Sequence, residues 1–394
     1  MDKSIASSPS AVVAADGSGD YLSLIEALAS NETNIFVKNG IYNVSSTVLI
    51  QNHATKIQGE SVEHTILRQT DPSKDLITIN ANDVSITRLT LDSLTHSAQA
   101  ALVIASSNRT RIEGNKILGT ASIFAVYFAG PKVAAGAETI AAVEENHLDN
   151  ENVFENNTVY SDFIGDGISF SLQKNGKVRY NNVFGSSISF YMCRDSEVLG
   201  NLIKDSPLSG ISYSLPAYNN RIERNIILRS INSGIRVSRN LEHPISLSSR
   251  YHGLEIVYNI ILDTRFFGIE LDQLSGGINV MFNTIDHPDF SGIQVLRCSK
   301  INISSNNISN FGAWKGRGKI RDWTSDSNGI YLETDVQQSS IHLNEIISNG
   351  NGDFGIRVTK ETSQNRVYFN QNLGTYVQYS LCIEGNNFFE IILP

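Results

Sequence analysis

A repeat of uneven length but fixed internal spacing constrains this chain more than anything else in it. Gly210, Gly268, Gly292, Gly329 and Gly355 are each followed, fifteen positions on, by an asparagine: Asn225, Asn283, Asn307, Asn344 and Asn370. Gly234 and Asn259 join the series if ten residues are inserted between them. Each pair brackets the same text: Gly-Ile-x-apolar, a polar stretch, then Ile-x-x-Asn-x-Ile. Periods of roughly 20 to 50 residues belong to solenoids.

A strand sends alternate side chains to opposite faces. With the residue after each glycine pointing inward, Ile168, Ile188, Ile211, Ile235, Ile269, Ile293, Ile330 and Ile356 form one aliphatic ladder. Phe170, Phe190, Tyr213, Val237, Leu271, Val295, Leu332 and Val358 form a second. The asparagines belong at a tight turn, where their amides bond from coil to coil and tolerate a left-handed backbone. A leucine-rich horseshoe needs a Leu-x-x-Leu-x-Leu pattern, which is absent. The sequence therefore predicts an all-β chain, a single right-handed parallel β-helix domain over 1–394, with about a dozen coils that pack only on their neighbours. The register continues more loosely upstream through Leu76-Ile77-Thr78-Ile79 and Leu102-Val103-Ile104. Residues 1–34 form an N-terminal cap region, with helical spacing from Asp20 to Leu28, because an open solenoid end exposes core and strand edges.

Three insertions interrupt the rhythm, near 129–150, 240–250 and 311–326. The first two follow a Gly-Ile strand and the third precedes one, so they wall the two sides of one strand face. Long loops on a rigid scaffold are where function concentrates.

Charge excludes some partners. A net charge of −9 speaks against nucleic acid, whose binders carry a basic stripe to neutralise phosphates. No run of about 18 apolar residues exists, so no membrane span is expected. Met1-Asp2-Lys3 opens no apolar signal segment. Cys193, Cys298 and Cys382 are too few for a disulfide scaffold. Cys193 and Cys298 share a coil position four coils apart, about 19 Å at roughly 4.8 Å per coil, and are expected to be free and structural.

Outward positions on the Gly-Ile strands are what a ligand lying along the helix touches. One row runs Ser169, Ser189, Ser212, Arg236, Glu270, Gln294, Tyr331, Arg357; the next runs Ser171, Tyr191, Ser214, Ser238, Asp272, Leu296, Glu333, Thr359. Serine-lined coils give way abruptly to charge at Arg236. Glu270 and Asp272 share a strand and place their carboxylates about 6–7 Å apart, with Glu333 about 10 Å from Asp272, two coils on. Retaining glycosidases separate their carboxyls by about 5–5.5 Å and inverting ones by about 6.5–9.5 Å, and paired carboxylates divide into an acid and a base. Glu270, Asp272 and Glu333 are the expected catalytic residues. Outward charge also simply keeps a solenoid soluble. Calcium is a third use for the same oxygens, and no other metal or cofactor is expected.

Substrate contacts are expected from Arg236, Arg239, Arg357, Tyr191 and Tyr331 on this face. Trp314, Trp323 and Arg321 join them from the third insertion, where an exposed indole offers its face to a sugar ring. The tryptophans serve equally well to pin that loop to the barrel. Arg239 suits bidentate recognition of a carboxylate or sulfate, or pairing with Glu242. Asp286-His287-Pro288-Asp289 is read as a turn between coils rather than a metal site.

From about Ser209 to Asn344 the sequence resembles the catalytic module of secreted mannuronan C5-epimerases. The likeness rests on Ser233-Gly234-Ile235-Arg236-Val237-Ser238-Arg239-Asn240-Leu241-Glu242 with its inserted coil, two regular coils, and a second insertion before Asn328-Gly329-Ile330. It implies a polysaccharide laid along the strand face. That family's Tyr-Gly-Phe-Asp-Pro-His strand falls on Asp166-Gly167-Ile168-Ser169-Phe170-Ser171, so its catalytic Asp and His become Ser169 and Ser171 and a further Asp becomes Tyr191. Serine abstracts no C5 proton without a base beside it. The leading expectation is an extracellular or surface-associated enzyme that hydrolyses a polysaccharide or oligosaccharide. One alternative is a lyase or C5-epimerase on a uronic-acid polymer such as alginate, with Arg236 or Arg239 neutralising the carboxylate and Tyr191 or Tyr331 handling protons. The other is a non-catalytic glycan-binding or phage tail solenoid, a homo-oligomer and a trimer if of the tailspike type.

Overall fold

The computed structural model describes residues 11–93, 100–119, 124–131, 148–161, 166–215, 218–239, 253–314 and 327–390, the side chains of Leu215 and Arg239 excepted. One coil reads Ile211–Leu215 in a first sheet, Arg221–Glu223 in a second and Ile226–Leu228 in a third, before Ile235–Arg239 returns to the first. Repetition builds sheets of 13, 15 and 13 strands among the described residues. The result is the right-handed parallel β-solenoid that the repeat predicts. No helix among the described residues is long and apolar enough to cross a membrane.

The first sheet carries the Gly-Ile strands, and its register is the one read from the sequence. Ile168, Ile188, Ile211, Ile235, Ile269, Ile293, Ile330 and Ile356 align as neighbours and all are fully buried. In the second inward row Phe128, Phe170, Phe190 and Tyr213 follow one another with ring centroids 4.0, 5.3 and 5.2 Å apart. Each fully buried aliphatic or aromatic side chain contributes about 1.5–3 kcal/mol, and each ring pair about 0.5–1.5 kcal/mol more. The core is thus a column stabilised by repetition. The glycines mark a corner too tight for a side chain: a Cβ on Gly268 would overlap Ile285 Cγ2 and the carbonyl oxygen of Gly292.

Asparagines line the turn between the second and third sheets, with one correction. After Asn283 the ladder residue is Asn306 rather than Asn307, because that coil is one residue shorter; Asn307 is an exposed strand residue. The ladder also reaches further back. Asn115, Asn157, Asn181, Asn201, Asn225, Asn259, Asn283, Asn306, Asn344 and Asn370 pass amide-to-amide bonds of 2.9–3.3 Å. The left-handed bend belongs to the residue before each asparagine: Arg224, Tyr258, Phe282, Ser305, Leu343 and Phe369 have φ between +53° and +58°. That conformation costs roughly 1–2 kcal/mol for a residue with a Cβ, and the ladder's bonds offset it.

At the N-terminal end the helix Leu24–Ala29 lays Leu24 and Ala27 against the barrel. Its capping box pairs Ser23 and Glu26 reciprocally, at 3.2 and 3.3 Å. Cys193 and Cys298 are free and buried; their thiols donate to Phe170 O at 3.3 Å and Leu296 O at 2.9 Å. Burial pushes both up to about 12. Most of the length of the three insertions lies outside the described residues.

Candidate functional site

On the outer face of the first sheet, Arg236, Glu270, Gln294, Tyr331 and Arg357 occupy consecutive strands of one row. Asp272 and Leu296 are neighbours in the next. Glu270 is mostly buried, its side chain 14% exposed. Ser233 Oγ donates to its Oε2 at 2.8 Å, and Arg236 Nε, one coil back, lies 3.4 Å from its Oε1. Burial pushes the Glu270 carboxyl above the ordinary range, against the opposing effects of Arg236 and Ser233.

Asp272 is held differently. Arg297, in a left-handed position just past Ile293–Leu296, reaches back one coil, with Nε 2.8 Å from Oδ1 and Nη2 2.5 Å from Oδ2. A fork of this kind fixes direction as well as charge. Glu333 accepts a hydrogen bond from Gln294 Nε2. Burial raises its carboxyl too, with Gln294 and Arg297 pulling the other way.

Tyr331 is almost buried, and the Arg357 guanidinium lies 5.4 Å over its ring and 5.0 Å over that of Phe354. Burial, helped by Glu333, pushes the Tyr331 hydroxyl up to about 12.

Six of the expected residues therefore gather: Arg236, Glu270, Asp272, Tyr331, Glu333 and Arg357. Tyr191 does not join them. It precedes Asp272 by three coils in its row, about 14 Å, and packs on Leu148, Leu172 and Met192. Trp314 sits at the corner before the sheet, its Nε1 donating to Ser327 Oγ at 2.9 Å and its ring stacked 6.1 Å from Phe290. That is the pinning arrangement. Trp323, Arg321 and the Arg239 side chain lie outside the described residues. Among the described residues no group of three or more His, Cys, Asp or Glu is placed to hold a metal.

Ser233, Gln294 and Arg297 complete the site, and sequence reasoning did not single them out. Ser233 had a signal, the position just before a repeat glycine at the rim of the sheet. Gln294 stood in the outward row between Glu270 and Tyr331. Arg297 had none, since it lies past the end of its strand.

The fold is similar to the A-module of the mannuronan C-5 epimerase AlgE4 of Azotobacter vinelandii, at TM-score 0.63 and 15% identity over 94% of this chain and 91% of that one. The A-module of AlgE6 from the same organism gives 0.57 and 13% over 93% and 92%. The Dettilon tailspike protein gp208 gives 0.61 and 12% over 92% and 63%. At these identities the likeness is one of fold. No protein-family model matches the sequence, and no curated protein does.

Proposed function

We propose that this protein binds a polysaccharide along the outer face of the first sheet and cleaves it by hydrolysis, with Glu270 and Glu333 as the acid–base pair. One observation carries the reading: two outward carboxyls, both raised by burial, lie two coils apart on either side of Gln294. Two coils and a two-residue step along the strand set their backbones about 12 Å apart. The bond from Gln294, in the row of Glu270, draws the Glu333 carboxyl back toward that row, in the direction of the about 6.5–9.5 Å at which inverting glycosidases leave room for a water. The acid gives its proton to the glycosidic oxygen as its bond to the anomeric carbon breaks. The base takes a proton from the water that bonds to that carbon from the opposite side. Asp272, held by Arg297, adds fixed negative charge beside the sugar on which positive charge develops.

The likeness to modules of mannuronan epimerases supports a polysaccharide as the substrate class. The reading places the protein outside the cell or on a surface and needs no cofactor. A uronan lyase or epimerase is the second reading. It is favoured by Arg236, whose side chain is 47% exposed beside Glu270 and suits a substrate carboxylate. Tyr331 is a poor base for that chemistry with its hydroxyl at about 12.

The test is a panel of neutral and acidic polysaccharides digested by wild type, Glu270→Gln and Glu333→Gln. Hydrolysis gives reducing ends without ultraviolet absorbance, elimination gives absorbance, and a binder gives neither. Wild type should release reducing ends, and each variant should be slower by about a hundredfold or more. Wild-type rates in both variants would overturn the assignment.

A further inference from the structure

We infer that Gln294 is a positioning residue that sorts the proton between the two carboxyls, keeping it on Glu270 and leaving Glu333 ionised. The inference rests on the acid–base reading above and deepens it. An amide has unlike ends, an NH2 that only donates and a carbonyl oxygen that only accepts. The Gln294 NH2 is given to Glu333 Oε2, and a donor of that kind favours the charged form of a carboxyl. At the other end, Gln294 Oε1 is buried without a hydrogen-bond partner, on a side chain with no exposure at all. Buried acceptors in folded proteins are nearly always satisfied. Only a group that carries a proton satisfies this one.

Two side chains flank Gln294 in its row, Glu270 on one strand and Tyr331 on the other, each about 4.8 Å away between strands. Glu270 has the oxygen to spare. Ser233 occupies Oε2 at 2.8 Å, whereas Arg236 Nε stands 3.4 Å from Oε1, longer than the about 2.7–2.9 Å of a charge-assisted hydrogen bond. A proton on Oε1 therefore displaces no short contact and gives Gln294 Oε1 its donor. Tyr331 carries the Arg357 guanidinium over its ring, and its hydroxyl makes no hydrogen bond to Gln294 Oε1, which has no partner. The charged groups around Glu270 among the described residues are Arg236 on the preceding coil and Asp272 on its own strand. Asp272 is already paired with Arg297, and Glu333 lies beyond Gln294.

The experiment is a carboxyl-carbon NMR titration of the full chain labelled at glutamate, with Glu270 and Glu333 assigned from E270Q and E333Q. In wild type Glu270 should titrate above Glu333. Gln294→Met keeps the length and removes both ends of the amide. It should lower Glu270 and raise Glu333, each by about half a unit or more. A general loss of solvation would move both carboxyls up together, and that outcome overturns the inference, as does Glu333 titrating above Glu270 in wild type. The wild-type order decides the matter by itself if Q294M fails to fold. The titration needs no substrate, so it stands or falls separately from the polysaccharide digestion: cleavage that dies in E270Q with a reversed titration order sinks only this inference.

Discussion

Asn283 shows how much one side chain carries in this fold. Its Nδ2 donates to Asn306 Oδ1 at 2.9 Å, to Ile256 O at 2.8 Å and to Met281 O at 3.1 Å, while its Oδ1 accepts from the Asn259 backbone and side chain. Alanine removes all of these and strands buried partners on the coils either side. At about 1 kcal/mol per bond, more where a buried group is left unsatisfied, Asn283→Ala should cost about 3 kcal/mol or more in chemical denaturation. Asn307→Ala, at an exposed position, should cost under about 0.5 kcal/mol. Equal losses would contradict the ladder. These two neighbouring asparagines also show where the sequence ran out. Spacing from Gly292 favoured Asn307, and only the contact with Asn283 and Asn344 reveals that Asn306 carries the turn. The groove shows the same limit. Strand alternation exposed Glu270, Asp272 and Glu333, but their partners come from other coils, and which of them a side chain reaches is not encoded in any local pattern.

Elements differ in how they treat charge. On the outer face of the second sheet, Glu155 lies 3.0 Å from Arg179, which also reaches Glu197 at 3.6 Å; Arg221 contacts Glu223 at 2.8 Å and Glu255 at 3.4 Å. There Glu155 and Glu223 are nearly buried, with side chains 7% and 8% exposed. Each is an acid drawn out of water that its arginine must pair, and removing Arg179 or Arg221 would leave a buried charge short of a partner. The two-stranded ribbon Asp149–Asn150 with Gln173–Lys174 is another matter. No alternation fits in two residues, so the repeat gave no hint of it. Asp149 is 4% exposed, accepts from Ser107 N at 2.8 Å, and is pushed by burial from the ordinary value up to about 6. A carboxyl whose folded pKa exceeds its unfolded one, about 3.9, binds its proton more tightly in the native state. Its contribution to stability is full below about pH 4 and is lost as pH rises through about 6. Two units correspond to about 3 kcal/mol. Asp149→Asn mimics the protonated acid, so its denaturation midpoint should fall less steeply than wild type between about pH 4 and 7. Parallel curves would show that the carboxyl is not the titrating group.

The whole molecule is the easiest level to read from the sequence, because a solenoid's architecture is its period, and Gly-Ile with a following asparagine states that period directly. It has a further consequence. If each coil meets only its two neighbours, the chain is a tape that can be cut and spliced at equivalent frames. Removing Ser187 through Ser209 joins Ser186 to Gly210 and excises one serine-lined coil upstream of the carboxyls. Asn181 would then face Asn225 in the ladder, and Phe170 would stack on Tyr213 in the core, each a pairing of the kind already made along the barrel. The spliced protein should fold to a rod shorter by one strand spacing, about 4.8 Å, with the Glu270 and Glu333 titrations unmoved. An unfolded product, or a shifted Glu270, would mean that distant coils are coupled. A chain that survives the cut has a groove whose length is set in whole frames while its chemistry stays in the same three of them, so reach along a polymer and the reaction upon it are free to change independently.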